Sequence, residues 1–245
     1  MFDISIYDRH GFAVSGPVLS ASELAEARET VDLLHRRALS GEDPDLAAEC
    51  VFERDQPDSK RDGRSLPEDR DAVFILGDPT RFAPSLLDLL RNATLLDIVG
   101  QTHGTPDFVV HFANITSKAP SIGSGINWHR DFPNKYICPA EPLMVRTMIC
   151  LDGMSEETGA TQFFSGSHLP ETGSGSRHRS ISAACAPGAV VAIHPLVLHG
   201  GAPNASESPR RNIIVQWGAA DCPLVTEMRE SLTGKHVRDL KVLSS

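Results

Sequence analysis

Phe108-Val-Val-His-Phe-Ala-Asn-Ile115 marks a change of character in this chain. It is a short run rich in β-branched and aromatic residues, and from Asp107 onward such runs recur, separated by Gly, Pro, Ser and Asn. That pattern reads as strands rather than helices, because helices need longer runs with a 3.6-residue period. The candidate strands are Phe108–Ile115, Asn127–Phe132, Met144–Leu151, Thr161–Phe164, Ala189–His194, Val197–His199 and Asn212–Trp217. Short strands in this number, behind a helical section, predict a mainly β fold with flanking α-helices, a double-sheet jelly roll carrying helices against one face.

Upstream, Ser20-Ala-Ser-Glu23 has capping-box spacing, in which the serine hydroxyl and the glutamate carboxylate satisfy unpaired N–H groups at a helix start. A helix over about 21–38 follows. Leu24, Ala27, Val31 and Leu34 recur at helical spacing, and Gly41 is a natural stop. Shorter helices are expected near Pro84–Asn92 and Thr94–Gln101. Between Glu42 and Asp71 the chain is charged and proline-containing without either period, which reads as a long mobile segment with a potential role in covering a site. The chain is expected to form one domain over 1–245, with a helical section about 1–105, a jelly-roll core about 106–220 and a C-terminal extension 221–245.

Bulk composition removes several function classes. The sequence holds 32 Asp and Glu against 23 Lys and Arg, a net charge of −9, and no stretch gathers its cations into a stripe. Nucleic acid and anionic membrane are therefore not expected partners. The five cysteines are scattered with no C-x-x-C pair, so neither a disulfide framework nor a structural zinc site is indicated. Met1 to His10 lacks the basic and apolar segments of a secretory signal, and no window reaches the length of a membrane span. The expectation is a soluble, cytoplasmic protein acting on a small-molecule substrate.

Within Asn127-Trp-His-Arg-Asp-Phe132, His129 and Asp131 are two apart, and on a strand alternate side chains share a face. Alone, such a pair is common. A second element strengthens it: the run beginning at Gly188 ends in Leu198-His199-Gly-Gly-Ala-Pro-Asn204, placing a histidine at a Gly-rich turn. Two histidines and one carboxylate on one face suit an octahedral metal with open positions, as in non-haem Fe(II) oxygenases. His194 is a rival for His199, but on a continuous strand its odd separation from His199 would turn it to the opposite face. Beyond His199, Arg210 sits just before the strand Asn212–Trp217, where a guanidinium could grip a carboxylate with two parallel N–H bonds.

The H-R-D of 129–131, the G-A-T-Q-F-F-S-G-S-H of 159–168 and the H-G-G-A-P-N-x-S-x-x-x-R-R of 199–211 together resemble the phytanoyl-CoA dioxygenase family. The likeness runs in order from about Asp107 to Trp217. It implies a double-stranded β-helix of the cupin-like kind, Fe(II) held by His129, Asp131 and His199, and Arg210 on the distal carboxylate of 2-oxoglutarate, with O2 as the other co-substrate. Thr161 resembles a threonine that contacts the oxo acid, and Lys118 a lysine upstream of the metal strand. The retained Asp131 implies hydroxylation or a related oxidation, since halogenases of this kind replace that carboxylate with a small residue. Two positions depart from the pattern: Ser165 stands where a proline usually precedes Gly-Ser-His, and Gly201 where serine is frequent.

Two other readings compete. A His2Asp zinc hydrolase would use bound water as nucleophile, but it gives Arg210 no task. A non-catalytic jelly roll that binds a metal or small ligand would leave the full set of ligands plus arginine unexplained. Phe132, Tyr136, Arg146 and Trp128 lie near the predicted site in sequence, without an assigned role.

Overall fold

A computed structural model of the chain describes residues 2–104, 106–170 and 179–240. The elements in order are α1 (Ile4–His10), β1 (Phe12–Pro17), α2 (Ala21–Ser40), α3 (Pro44–Ala48), β2 (Cys50–Phe52), β3 (Val73–Gly77), α4 (Pro79–Phe82), α5 (Leu86–Leu90) and α6 (Ala93–His103). The remaining strands are β4 (Phe108–Lys118), β5 (Ile126–His129), β6 (Met144–Cys150), β7 (Thr161–Phe164), β8 (Ser180–Ser182), β9 (Ala189–Ile193), β10 (His199–Gly201) and β11 (Arg210–Ala219).

The strands form two sheets, a seven-stranded one in the order β1-β9-β6-β11-β4-β3-β2 and a four-stranded one in the order β5-β10-β7-β8. Every pairing is antiparallel. This is the jelly roll the sequence predicts. Its seven expected strands are all present, with ends shifted by a few residues, and β1, β2, β3 and β8 were not foreseen. β1 and β3 occur within the section read as helical, and they extend the larger sheet on both sides of the predicted strands.

Period-2 alternation divides the larger sheet into two unlike faces. On β11, Ile213, Val215 and Trp217 join a core with Ala113 and Ile115 of β4 and with Val31 and Leu34 of α2 and Leu95 and Ile98 of α6. Burial of a Val, Leu or Ile side chain contributes roughly 1.5–3 kcal/mol, so this helix-on-sheet layer is a main source of stability. The alternate residues Arg210, Asn212, Ile214 and Gln216 face the other way, toward the smaller sheet. There a second core of Phe12, Met148, Phe163, Val191, Val197 and Ile214 fills one end of the space between the sheets.

α2 begins and ends as its sequence dictates. Ser20 and Glu23 make the reciprocal capping box, and Gly41 takes a left-handed conformation at φ 74° that a side chain would disfavour.

The segment from Glu42 to Asp71 corrects the sequence reading. It contains α3, β2 and two turns of 3-10 helix, Glu53–Asp55 and Asp58–Arg61, instead of an unstructured stretch. Buried Glu53 accepts from Ser124 N at 2.8 Å and Ser124 Oγ at 2.6 Å, and pairs with Arg61 at 3.3 Å. The backbone N–H of Gly125 donates to Lys60 O at 2.7 Å. These bonds tie the segment to the loop between β4 and β5 and bring Lys60 to the wall of the space between the sheets. Periodicity missed it because its order comes from side-chain bonds to residues far away in sequence.

Candidate metal centre

His129 ends β5 and His199 begins β10, and the antiparallel register sets them directly opposite each other. Their ring centroids are 4.3 Å apart. The close approach depends on Gly200, where a Cβ would come within 2.9 Å of Ile126 O. Asp131 lies beyond the end of β5, so its convergence with His129 is not the strand alternation expected from sequence. It sits in a bend whose backbone N–H donates to Pro195 O at 3.0 Å.

The three potential ligand atoms of His129, Asp131 and His199 lie within 4.8 Å of one another. His129 Nε2 is 3.5 Å from Asp131 Oδ1, and His199 Nε2 is 3.8 Å from Oδ2. Each imidazole is oriented from behind: Nδ1 of His129 contacts Asn127 O at 2.9 Å, and Nδ1 of His199 contacts Val197 O at 3.0 Å. A carbonyl can only accept, so each Nδ1 carries the proton and each Nε2 presents a lone pair inward, the tautomer a metal requires.

Electrostatics agree with a cation site. Burial works to raise the Asp131 carboxyl, but Arg146, His199 and His129 outweigh it and hold it below the usual carboxylate range. Burial lowers the His199 imidazole. At His129 burial also acts to lower it, yet the hydrogen bond and charge of Asp131 prevail and raise it. Asp131 Oδ2 is buried with no hydrogen-bond partner among the described residues. A buried, unpartnered carboxylate oxygen facing the inward lone pair of His199 is costly unless a cation fills the gap.

The site opens on a cavity of about 250 Å³ between the sheets, also lined by Lys118, Thr161 and Arg210. Thus all six residues selected from sequence line one cavity. Arg210 and Lys118 are directly opposed on paired strands β11 and β4. Arg210 is 1% exposed, its Nε and Nη2 have no partner, and among the described residues no carboxylate lies within ion-pair distance of it. Neighbouring Arg211 is already committed on the opposite face, to Asp152 at 2.7 Å and Asp32 at 2.5 Å. An unpaired buried guanidinium costs several kcal/mol, roughly what an anionic ligand would recover.

Lys118 donates to Gly159 O at 2.8 Å and to Ala202 O. Burial, with the charge of Arg210 beside it, pushes its ammonium down to about 6. The Thr161 hydroxyl reaches only the thioethers of Met148 and Met154, at 3.8 and 3.9 Å, which are weak acceptors.

Several cavity residues were not assigned from sequence. Tyr136 and Arg146 line it, as do Asn114, Thr116 and, from the 42–71 segment, Lys60. The inward polar residues of β4 and β11 carry a usable signal, alternation of polar with apolar along strands buried on both faces. Lys60 carries none. Trp128 is 44% exposed and packs on Phe164 at an adjoining cleft, and Phe132 is absent from the lining. His194 packs against Tyr7 and His168 instead of approaching Asp131. His111 is a core residue bonded to Gln216, and His168 bonds Asp8 O.

A jelly roll with two histidines and a carboxylate at one end of its inter-sheet cavity, and an unpaired arginine lining the same cavity, is the architecture of a non-haem metal oxygenase. The sequence matches the family model described as phytanoyl-CoA dioxygenase (PhyH) over residues 7–212, and the chain belongs to that family. Among similar solved structures, AviO1 from Streptomyces viridochromogenes Tue57 is 22% identical, with 90% of this chain and 95% of that one covered and a TM-score of 0.69. EctD from S. alaskensis, solved with 2-oxoglutarate and 5-hydroxyectoine, is 20% identical over 95% of this chain and 82% of its own, with a TM-score of 0.73. SnoK, a non-heme alpha ketoglutarate dependent carbocyclase from nogalamycin biosynthesis, is 18% identical over 98% and 90%, with a TM-score of 0.67. No curated protein matches the sequence. At these identities the solved neighbours establish a shared fold.

Proposed function

We propose that this protein is an Fe(II)- and 2-oxoglutarate-dependent dioxygenase that hydroxylates, or otherwise oxidises, a small-molecule metabolite in natural-product or amino-acid metabolism. The observation that carries the reading is the pair of unpartnered polar groups in one cavity, Asp131 Oδ2 and the Nε and Nη2 of Arg210. One calls for a cation and the other for an anion, and Fe(II) with a dicarboxylate oxo acid supplies both. EctD structures hold Fe, or 2-oxoglutarate with 5-hydroxyectoine, on the same fold.

In this reading His129, Asp131 and His199 hold the iron through Nε2, one carboxylate oxygen and Nε2. Two neutral imidazoles and one carboxylate leave a net positive charge to attract the oxo acid. Arg210 grips its distal carboxylate, Thr161 donates a hydroxyl bond, and Lys118 adds charge once it takes up a proton. With iron bound, the chemistry supplied is coupled oxidation, in which 2-oxoglutarate, O2 and substrate C–H give succinate, CO2 and a hydroxylated product. The remaining contribution of the chain is positional: it holds one C–H in reach and keeps water out of the site.

A cavity of about 250 Å³ suits the oxo acid and a compact substrate. Ile126, Phe74 and Lys60 supply an apolar wall with one cation at the substrate side. We place the enzyme in the cytoplasm, in keeping with its free cysteines. Among the described residues no helix is long and apolar enough to cross a membrane. Hydrolysis by a zinc site would leave the buried charge of Arg210 unanswered.

The test is anaerobic addition of Fe(II) and 2-oxoglutarate, which should produce a visible charge-transfer band. A colourless mixture, in a protein whose activity depends on zinc, would refute the reading. A screen for metabolites that stimulate succinate formation, followed by mass analysis for an added oxygen, identifies the substrate.

A further inference from the structure

Arg146 on β6 belongs to neither the ligand set nor the oxo-acid end, yet it is the best-anchored cation in the cavity. Its Nη1 donates to Asp131 Oδ1. Nη2 donates to the Tyr136 hydroxyl at 2.6 Å, and Nε and Nη2 both reach Gln216 Oε1 at 3.2 Å. Arg146 and Gln216 are register partners on β6 and β11. The Gln216 amide is fixed in turn by donation to Ile137 O at 2.9 Å and by its contact with His111 Nδ1 at 3.0 Å. The guanidinium also lies 5.1 Å from the centre of the Phe112 ring. A planar fork bound on three sides has little freedom left, so the direction of its bond to Asp131 is set by the larger sheet.

The two oxygens of Asp131 are therefore unlike. Oδ1, 3.5 Å from His129 Nε2, already accepts from Arg146, whereas Oδ2, 3.8 Å from His199 Nε2, is buried with no hydrogen-bond partner among the described residues. We infer that Arg146 is a positioning residue for the metal centre: by occupying Oδ1 it makes Asp131 ligate through Oδ2 alone. This leaves the coordination positions that the oxo acid and O2 need. The inference rests on the proposed iron site and adds to it a residue outside the ligand set. It also gives a physical reason for a buried arginine beside a cation, which Coulomb repulsion alone would disfavour.

That repulsion makes the inference testable, because positioning and charge predict opposite signs. If Arg146 positions Asp131, Arg146→Met should raise the Fe(II) dissociation constant by about 10–100-fold, the usual effect of removing a group that orients a ligand. The charge-transfer band with 2-oxoglutarate should also shift or lose intensity. Arg146→Lys keeps the charge but cannot hold Asp131, Tyr136 and Gln216 together, so it should restore Fe(II) affinity only in part. If Arg146 merely balances charge, Arg146→Met should bind Fe(II) more tightly and Arg146→Lys should match wild type. If its role is only structural, both variants should melt earlier but give wild-type Fe(II) affinity and spectrum. Either result overturns the inference. Should Arg146→Met fail to fold, Arg146→Lys decides alone, since only positioning predicts weakened Fe(II) binding there. A wild-type protein without a charge-transfer band would sink the iron reading itself; a normal wild-type band with unaltered variants would sink only the role of Arg146.

Discussion

The two ends of the cavity are built from different parts of the fold. At one end His129, Asp131 and His199 come from the short strands β5 and β10 of the smaller sheet and the bend beyond β5. At the other, Lys118 and Arg210 face each other on β4 and β11, the long paired strands of the larger sheet. The ligand end is aimed by local bonds, carbonyls behind each imidazole and Arg146 behind the carboxylate. At the cationic end Lys118 is fixed by two carbonyls, Gly159 O and Ala202 O, while burial beside Arg210 pushes its ammonium down to about 6. A metal needs directed lone pairs, which short strands and bends can present from three sides. A dicarboxylate needs charge at a fixed depth, which rigid central strands supply.

The largest expected effect lies at the ligand end. His199→Ala and Asp131→Ala should each abolish Fe(II) binding, read as loss of the charge-transfer band and of 2-oxoglutarate turnover. Full colour in either variant would break the comparison, because the cation would then be held elsewhere. Removal of iron with a chelator should silence the enzyme in the same way, with recovery on adding Fe(II) back.

At the cationic end the loss should fall on the oxo acid and spare the metal. Arg210→Ala should raise the KM for 2-oxoglutarate by about ten- to a hundredfold, as expected when hydrogen bonds to a charged group worth about 1.5–3 kcal/mol are removed, with Fe(II) affinity unchanged. Arg211→Ala should leave that KM alone and lower the melting temperature, since Arg211 serves the Asp32 and Asp152 pairs.

Lys118 gives a smaller and more specific signal. Its ammonium is depressed to about 6 by burial and by Arg210, so at neutral pH it is largely uncharged until an anion arrives. Binding of 2-oxoglutarate should take up as much as about one proton, measurable by calorimetry in buffers of different ionisation enthalpy. The uptake should vanish in Lys118→Met. A depressed folded-state value costs stability as pH falls from the ordinary 10.5 toward 6. Without ligand, Lys118→Met should therefore melt higher than wild type at neutral pH. The smallest effect is expected at Thr161→Val, about two- to tenfold in the KM for 2-oxoglutarate, the range for one neutral hydrogen bond.

How far the sequence reached differs between the two ends. H-x-D, the distal histidine and the arginine beyond it were legible because, in that order, they belong to a recurring set of residues. Even there, strand alternation explains only part of the convergence of His129 and Asp131: β5 stops at His129, and Asp131 lies in a bend whose N–H bonds Pro195 O. The strands from Phe108 onward were readable because their runs are short and bounded by turn residues. β1 and β3 escaped because they are only six and five residues long and lie among helices, too short for a period to stand out.

The residues themselves determined which chemistry was available: two imidazoles, a carboxylate and a guanidinium, on strands of period 2. Tertiary structure alone decided that Lys60 of the 42–71 segment lines the cavity and that His194 turns away. It also decided that Arg210 is buried unpaired while Arg211 is paired, and that Arg146 reaches Asp131. Each of these depends on which strands become neighbours and in what register. Hydropathy encodes the face on which a residue lies; the partner it meets there is set by contacts between segments that the chain order keeps far apart.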